Sequence, residues 1–130
     1  IPVMGHIGLL PQTSSNFKTR GKNFTQKKKI FEDALTISNS GAFAIVVECV
    51  IENLAKKITK NISIPTIGIG ASKHCDGQIL VTDDMIGLSD FLPKFVKQYT
   101  NLKKVIEKCI KKYSKDVKFR RFPSYKNVYK

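Results

Sequence analysis

The sequence predicts an α/β protein with a parallel, helix-covered sheet, sized as half of an eight-unit (β/α)8 barrel. Three observations carry that prediction. Four short apolar runs, residues 1–4, 42–47, 64–69 and 78–81, recur along the chain. Stretches with helical periodicity separate most of them, and each run stops at polar or glycine-rich residues. Continuous apolar strands must be buried on both faces, which is the signature of a parallel sheet between helices. A full barrel takes about 250 residues, so four strand units in 130 residues correspond to half of one.

The first run, Ile1-Pro2-Val3-Met4, tolerates an early proline as an edge or first strand residue does. It stops at Gly5-His6-Ile7-Gly8. Residues 9–23 hold Pro11, Gln12, Ser14, Ser15, Asn16 and Gly21 without periodicity and read as a loop long enough to be functional. Over residues 26–40 the positions Ile30, Phe31, Ala34, Leu35 and Ile37 form a helical stripe ended by Asn39-Ser40-Gly41.

The second strand ends at Glu48, and Ile51, Leu54, Ala55 and Ile58 then mark one face of a helix reaching about Lys60, whose lysines suit a helix C-terminus. The third, Ile64 to Ile69, leaves through Gly70. Asp76-Gly77 turns the chain into the fourth, Gln78 to Val81. A shorter helix is expected over residues 91–99, and Leu102, Val105, Ile106, Cys109, Ile110 and Tyr113 predict a long one. Residues 118–130, with Pro123 and scattered aromatics, read as an irregular tail.

Composition narrows the function classes. The formal charge is +13, yet only Arg20, Arg120 and Arg121 are arginines, and the lysines lie mostly on polar helix faces. Nucleic-acid recognition favours the planar, bidentate guanidinium, so a solvated lysine surface is the preferred reading and no nucleic-acid partner is expected. Cys49, Cys75 and Cys109 are odd in number and far apart, which indicates neither a disulfide framework nor a zinc site. No run approaches the about 18 apolar residues of a membrane span, and the N-terminus has no signal pattern. A cytoplasmic protein without a membrane partner is expected. The start at Ile1, without a lead-in before the first strand, reads as the back part of something longer.

In a barrel the chemistry gathers at the C-terminal strand ends, where His6, Glu48, the glycine-rich turn at residues 68–72 and Asp83-Asp84 would converge. Glu48 closes an apolar run, where charge gains nothing from burial. It reads as a structural carboxylate, paired or capping, or as a general base made stronger by partial desolvation; the apolar approach favours the base. His6 is a satisfied histidine or a substrate-orienting donor, and Gly5 and Gly8 beside it would let backbone approach a ligand closely. Residues 68–72 resemble an anion cradle weakly, and tight packing explains them better. His74, Cys75 and Asp76 are contiguous and read as a turn, not a metal site. Asp83 and Asp84 follow a strand, where capping is the common use of Asp, but cation or substrate binding stays open. Cys49 should alternate to the face opposite Glu48 and serve packing.

Four ordered motifs, Gly5 to Gln12, Val46 to Val50, Ile67 to Ala71 and Asp76 to Val81 with Asp84 and Gly87-Leu88, resemble the ketopantoate hydroxymethyltransferase family. Pro93 to Lys97, Asp116 to Lys118 and Phe122-Pro123 extend the likeness over nearly the whole chain. The resemblance implies the second half of a (β/α)8 TIM barrel, about four β/α units with C-terminal helices. Residues 1–130 would then be the C-terminal half of one catalytic domain. It implies transfer of a hydroxymethyl group from 5,10-methylenetetrahydrofolate to 3-methyl-2-oxobutanoate, giving 2-dehydropantoate in pantothenate biosynthesis. Glu48 falls on the family's proton acceptor, which forms an enolate by removing the C3 proton, and His6 on a substrate-binding histidine. Magnesium chelates the keto acid in the family, with ligands in the other half of the barrel. The family forms decamers, so a homo-oligomer is implied. The sequence departs from the family in the shortened stretch Asn16 to Gly21, in Asp83 where a histidine is usual, and in Tyr125-Lys126-Asn127.

Overall fold

A computed structural model of the chain describes residues 1–10 and 18–129. The predicted loop therefore falls partly outside the described residues, with Pro11, Gln12, Ser14, Ser15 and Asn16 among those not described. The chain divides into two compact units, Ile1–Leu80 and Val81–Lys130.

The first unit is a parallel sheet with strand order β1-β2-β3-β4, comprising β1 (Met4–Gly8), β2 (Ala44–Glu48), β3 (Thr66–Ile69) and β4 (Gly77–Gln78). Helices α1 (Phe24–Asn39) and α2 (Glu52–Asn61) connect the first three strands. This is α/β architecture of the predicted kind. Ile7, Ile45 and Val47 point from the strands into a core with Ala34 of α1 and Leu54, Ala55 and Ile58 of α2. Strand alternation sends His6, Val46, Glu48 and Ile67 to the other face, where all four are only partly buried.

Helices α1 and α2 form where their sequence signals lie. Asn23 caps α1 by accepting the Gln26 N–H at 2.8 Å, and Lys28–Glu32 and Lys29–Asp33 pair one turn apart. The end of α1 is closed by the Ser40 hydroxyl, which donates to the Thr36 carbonyl at 2.7 Å before Gly41 turns at φ 84°. In α2, Glu52 lies in the first turn and Lys60 in the last, matching the helix dipole.

Three elements differ from the sequence expectation. β1 lies at Met4–Gly8 instead of residues 1–4, because pairing with β2 takes over the Gly-His-Ile-Gly segment and its alternation buries Ile7. β4 is only two residues long, and β3 reaches it through residues 70–76 without a helix. Leu80 and Val81 instead lead into α3 (Thr82–Ile86), with Asp83 and Asp84 inside its first turn and no side-chain cap; Gly87 ends it at φ 76°. Residues 91–99 form no helix, only a turn in which the Val96 N–H donates to the Pro93 carbonyl at 3.0 Å. The proline biases Leu92 away from helical backbone, outweighing the apolar spacing.

In the second unit, α4 (Leu102–Lys118) follows the predicted stripe, capped by Asn101, which accepts the Lys104 N–H at 3.0 Å. The tail is irregular apart from a 3-10 turn at Tyr125–Asn127 closed by a Ser124–Asn127 capping box, and Phe122 lies edge-on to Tyr113 at 5.5 Å. No helix among the described residues is long and apolar enough to cross a membrane.

Candidate active site

Glu48 is the last residue of β2 and His6 the centre of β1, and parallel register places both on the partly open sheet face. His6 Nε2 lies 3.2 Å from Glu48 Oε2. The side chains are 30% and 15% exposed, so the carboxylate is the more sheltered partner. The ring nitrogen is shielded from solvent, and its approach to the carboxylate is too oblique to count as a hydrogen bond.

The backbone beneath this pair is held from both sides. The Leu9 N–H donates to the Glu48 carbonyl at 2.9 Å and the Arg20 N–H to the Cys49 carbonyl at 2.7 Å, while the Cys49 N–H donates to the Ile69 carbonyl at 2.9 Å. Arg20 thus returns from the loop to bridge Val50. Cys49 takes φ 51°, a left-handed backbone unusual outside glycine, which ends the strand directly after Glu48. Burial and the Glu48 charge push the Cys49 thiol up, against a smaller opposing pull from Arg20. A protonated, buried thiol is a poor nucleophile, consistent with a packing role.

The glycines flanking His6 sit where a side chain would collide with neighbouring chain. A Cβ on Gly5 would meet Ile37 of α1 at 2.3 Å, and one on Gly8 would meet the Glu48 carbonyl at 2.1 Å. Both let neighbouring chain approach closely. Gly68 likewise packs tightly, since its Cβ would meet Cys75 Sγ and the Gln78 amide at 3.0–3.1 Å.

His74, Cys75 and Asp76 do form a turn, and each goes its own way. Cys75 joins the core, while Asp76 accepts from both the Thr66 N–H and hydroxyl at 2.8 Å. Those bonds hold the Asp76 carboxyl below its usual range. The His74 ring faces Glu52 at 3.9 Å. Sequence reasoning missed that grouping, in which Ser72 Oγ donates to Glu52 Oε1 at 3.0 Å, because Glu52 starts α2, about twenty residues before the loop that holds Ser72 and His74, and the three share no motif. On the α1 side of His6 lies a cavity of about 520 Å³ lined also by Gly8, Arg20, Gln26 and Lys29. Among the described residues no group of three or more His, Cys, Asp or Glu could hold a metal ion. The resemblance implies a magnesium site whose ligands lie in the other half of the barrel.

A sequence family described as ketopantoate hydroxymethyltransferase matches residues 1–125. The chain belongs to the ketopantoate hydroxymethyltransferase family. Similar proteins include one from Pelagibacter ubique, 52% identical over 129 residues, covering 99% of this chain and 50% of its own length. Another, from Bartonella quintana, is 54% identical over 133 residues, covering 100% and 48%. A third, from Caulobacter vibrioides, is 50% identical over 132 residues, covering 99% and 48%. All three are named 3-methyl-2-oxobutanoate hydroxymethyltransferase. The chain spans about half the length of the curated relatives it matches, and for this family a four-stranded parallel sheet with helices corresponds to a partial (β/α)8 barrel.

Proposed function

We propose that this chain supplies the base-bearing half of a hydroxymethyltransferase acting on 3-methyl-2-oxobutanoate, with 5,10-methylenetetrahydrofolate as the one-carbon donor and 2-dehydropantoate as product. In this reading residues 1–130 are the C-terminal half of one cytoplasmic catalytic domain. Glu48 Oε2 takes the proton from C3 of the keto acid, and the bonding pair left behind becomes the enolate that bonds the donor's one-carbon unit; over the whole transfer that carbon gives up its bonds to the folate nitrogens, one water supplies the hydroxyl oxygen, and tetrahydrofolate leaves. His6, 3.2 Å from that oxygen, orients the carboxylate and contacts the substrate from the side of the cavity bearing Arg20 and Lys29. A cation there would stabilise enolate charge, but its ligands are assigned to the half of the relatives that this chain does not span, and no step is derived through it.

The single observation that carries the reading is a sheltered strand-end carboxylate paired with an imidazole on the open sheet face. A general base at such a site contributes about 10²–10⁴-fold in rate. The test follows loss of the C3 proton signal of the keto acid in D2O, with the complementary half of a relative supplied. Glu48→Gln is expected to slow exchange by about two orders of magnitude or more; an unchanged rate removes Glu48 from the chemistry. The 130-residue chain alone is expected to show negligible transfer, and robust turnover by it would overturn the half-barrel reading.

A second reading, a non-catalytic binding module that needs a partner chain, rests on the same open sheet face and on edges β1 and β4, which have no further strand among the described residues. It predicts partner binding with no exchange at C3 in any combination.

A further inference from the structure

We infer that Ser72 and Glu52 are positioning residues for Glu48, an inference that rests on the proposed role of Glu48 as base. The segment that follows β3 runs beside the end of β2, because the register pairs Glu48 with Ile69 and the Cys49 N–H donates to the Ile69 carbonyl at 2.9 Å. That bond holds the left-handed turn at Cys49, and the turn sets where the strand stops and where Glu48 is aimed. Whatever fixes the start of the loop at residues 70–76 thereby fixes the carboxylate.

Ser72 is the point on which that loop is gathered. Only 3% of it is exposed, and it bonds α2, β4 and two residues of its own loop, His74 and Cys75, whose N–H donates to the Ser72 carbonyl at 3.3 Å. Its hydroxyl donates to Glu52 Oε1 at the start of α2 at 3.0 Å and accepts the His74 N–H at 3.0 Å, while its carbonyl accepts from Gln78 Nε2 on β4 at 2.7 Å. The Glu52 bond closes a ring: α2 begins just after Glu48, so Glu52 ties the exit of β3 back to the exit of β2. Glu52 makes no contact with His6 or Glu48 in this arrangement. It acts through Ser72, Ile69 and the Cys49 backbone.

The experiment uses the intact chain and no turnover, so its outcome is separable from that of the transferase reading. The His6 ring 15N and Glu48 carboxyl 13C resonances report the pair, and amide exchange over residues 70–76 reports the loop. Ser72→Ala and Glu52→Ala are expected to speed loop exchange by about tenfold, the effect of one hydrogen bond, and to move both resonances. Glu52→Gln keeps an acceptor for the Ser72 hydroxyl while removing the charge, and is expected to leave both near the parent values. Loop exchange that quickens while the resonances stay in place would overturn the inference. So would a Glu52→Gln spectrum displaced as far as that of Glu52→Ala, because the charge and not the bond would then be acting. Glu52 is half-exposed on the surface, so this pair of variants decides the matter even if Ser72→Ala unfolds the protein.

Discussion

Gly8 shows how closely the candidate site is packed: it sits at φ 99° and leaves no room between β1 and the Glu48 carbonyl. Gly8→Ala adds a methyl where carbonyl oxygen already lies and forces an unfavourable backbone, costs of about 1–3 kcal/mol each. Urea denaturation is expected to show a lower midpoint, with the His6 and Glu48 resonances displaced in the folded fraction. The geometry of the candidate site was legible in part. A carboxylate ending an apolar strand pointed to Glu48, and the Gly-His-Ile-Gly motif pointed to His6, but nothing in the sequence linked Glu52, Ser72 and His74, which only the folded loops bring together.

Among the elements, helices were easier to read than strands. The 3.6-residue stripes of α1, α2 and α4 and the side-chain caps of α1 and α4 are local properties, whereas the ends of a parallel strand depend on a distant neighbour, as β1 and β4 show. The turn into β4 illustrates such non-local control. Asp76 accepts two bonds from Thr66, a residue with no exposed surface, and its carboxyl is held below the usual carboxylate range. A depressed folded-state value contributes stability above the unfolded value near 3.8 that is lost as pH falls through the folded one. Acid titration is therefore expected to loosen residues 70–76 below about pH 4, read by amide exchange, and Asp76→Ala to remove that acid step. Asp76→Ala also strands the buried Thr66 N–H, costing about 1–3 kcal/mol by chemical denaturation. In the helical layer, Ile58→Ala empties a fully buried site and is expected to cost about 2–5 kcal/mol in the same assay.

Over the whole molecule, the first unit covers one sheet face with α1 and α2 and leaves the other half-buried, although all-parallel sheets are ordinarily covered on both. Within the first unit, that half-buried face and the edges β1 and β4, which have no further strand among the described residues, make self-association the expected behaviour of the isolated chain. Light scattering should show concentration-dependent growth that is suppressed by the complementary half of a relative. A monodisperse monomer at high concentration would contradict it. The class and the half-barrel size were legible from strand count and length, because both follow from summed pattern and not from any one boundary.

The three thiols are placed very unequally: Cys49 and Cys75 are buried, the first with a raised pKa, whereas Cys109 is exposed on α4. The native chain therefore carries a built-in labelling handle. A maleimide dye should attach at Cys109 alone, one equivalent per chain, with the other two sites reacting only after denaturation; fluorescence anisotropy could then follow capture of the complementary half without engineering a new cysteine.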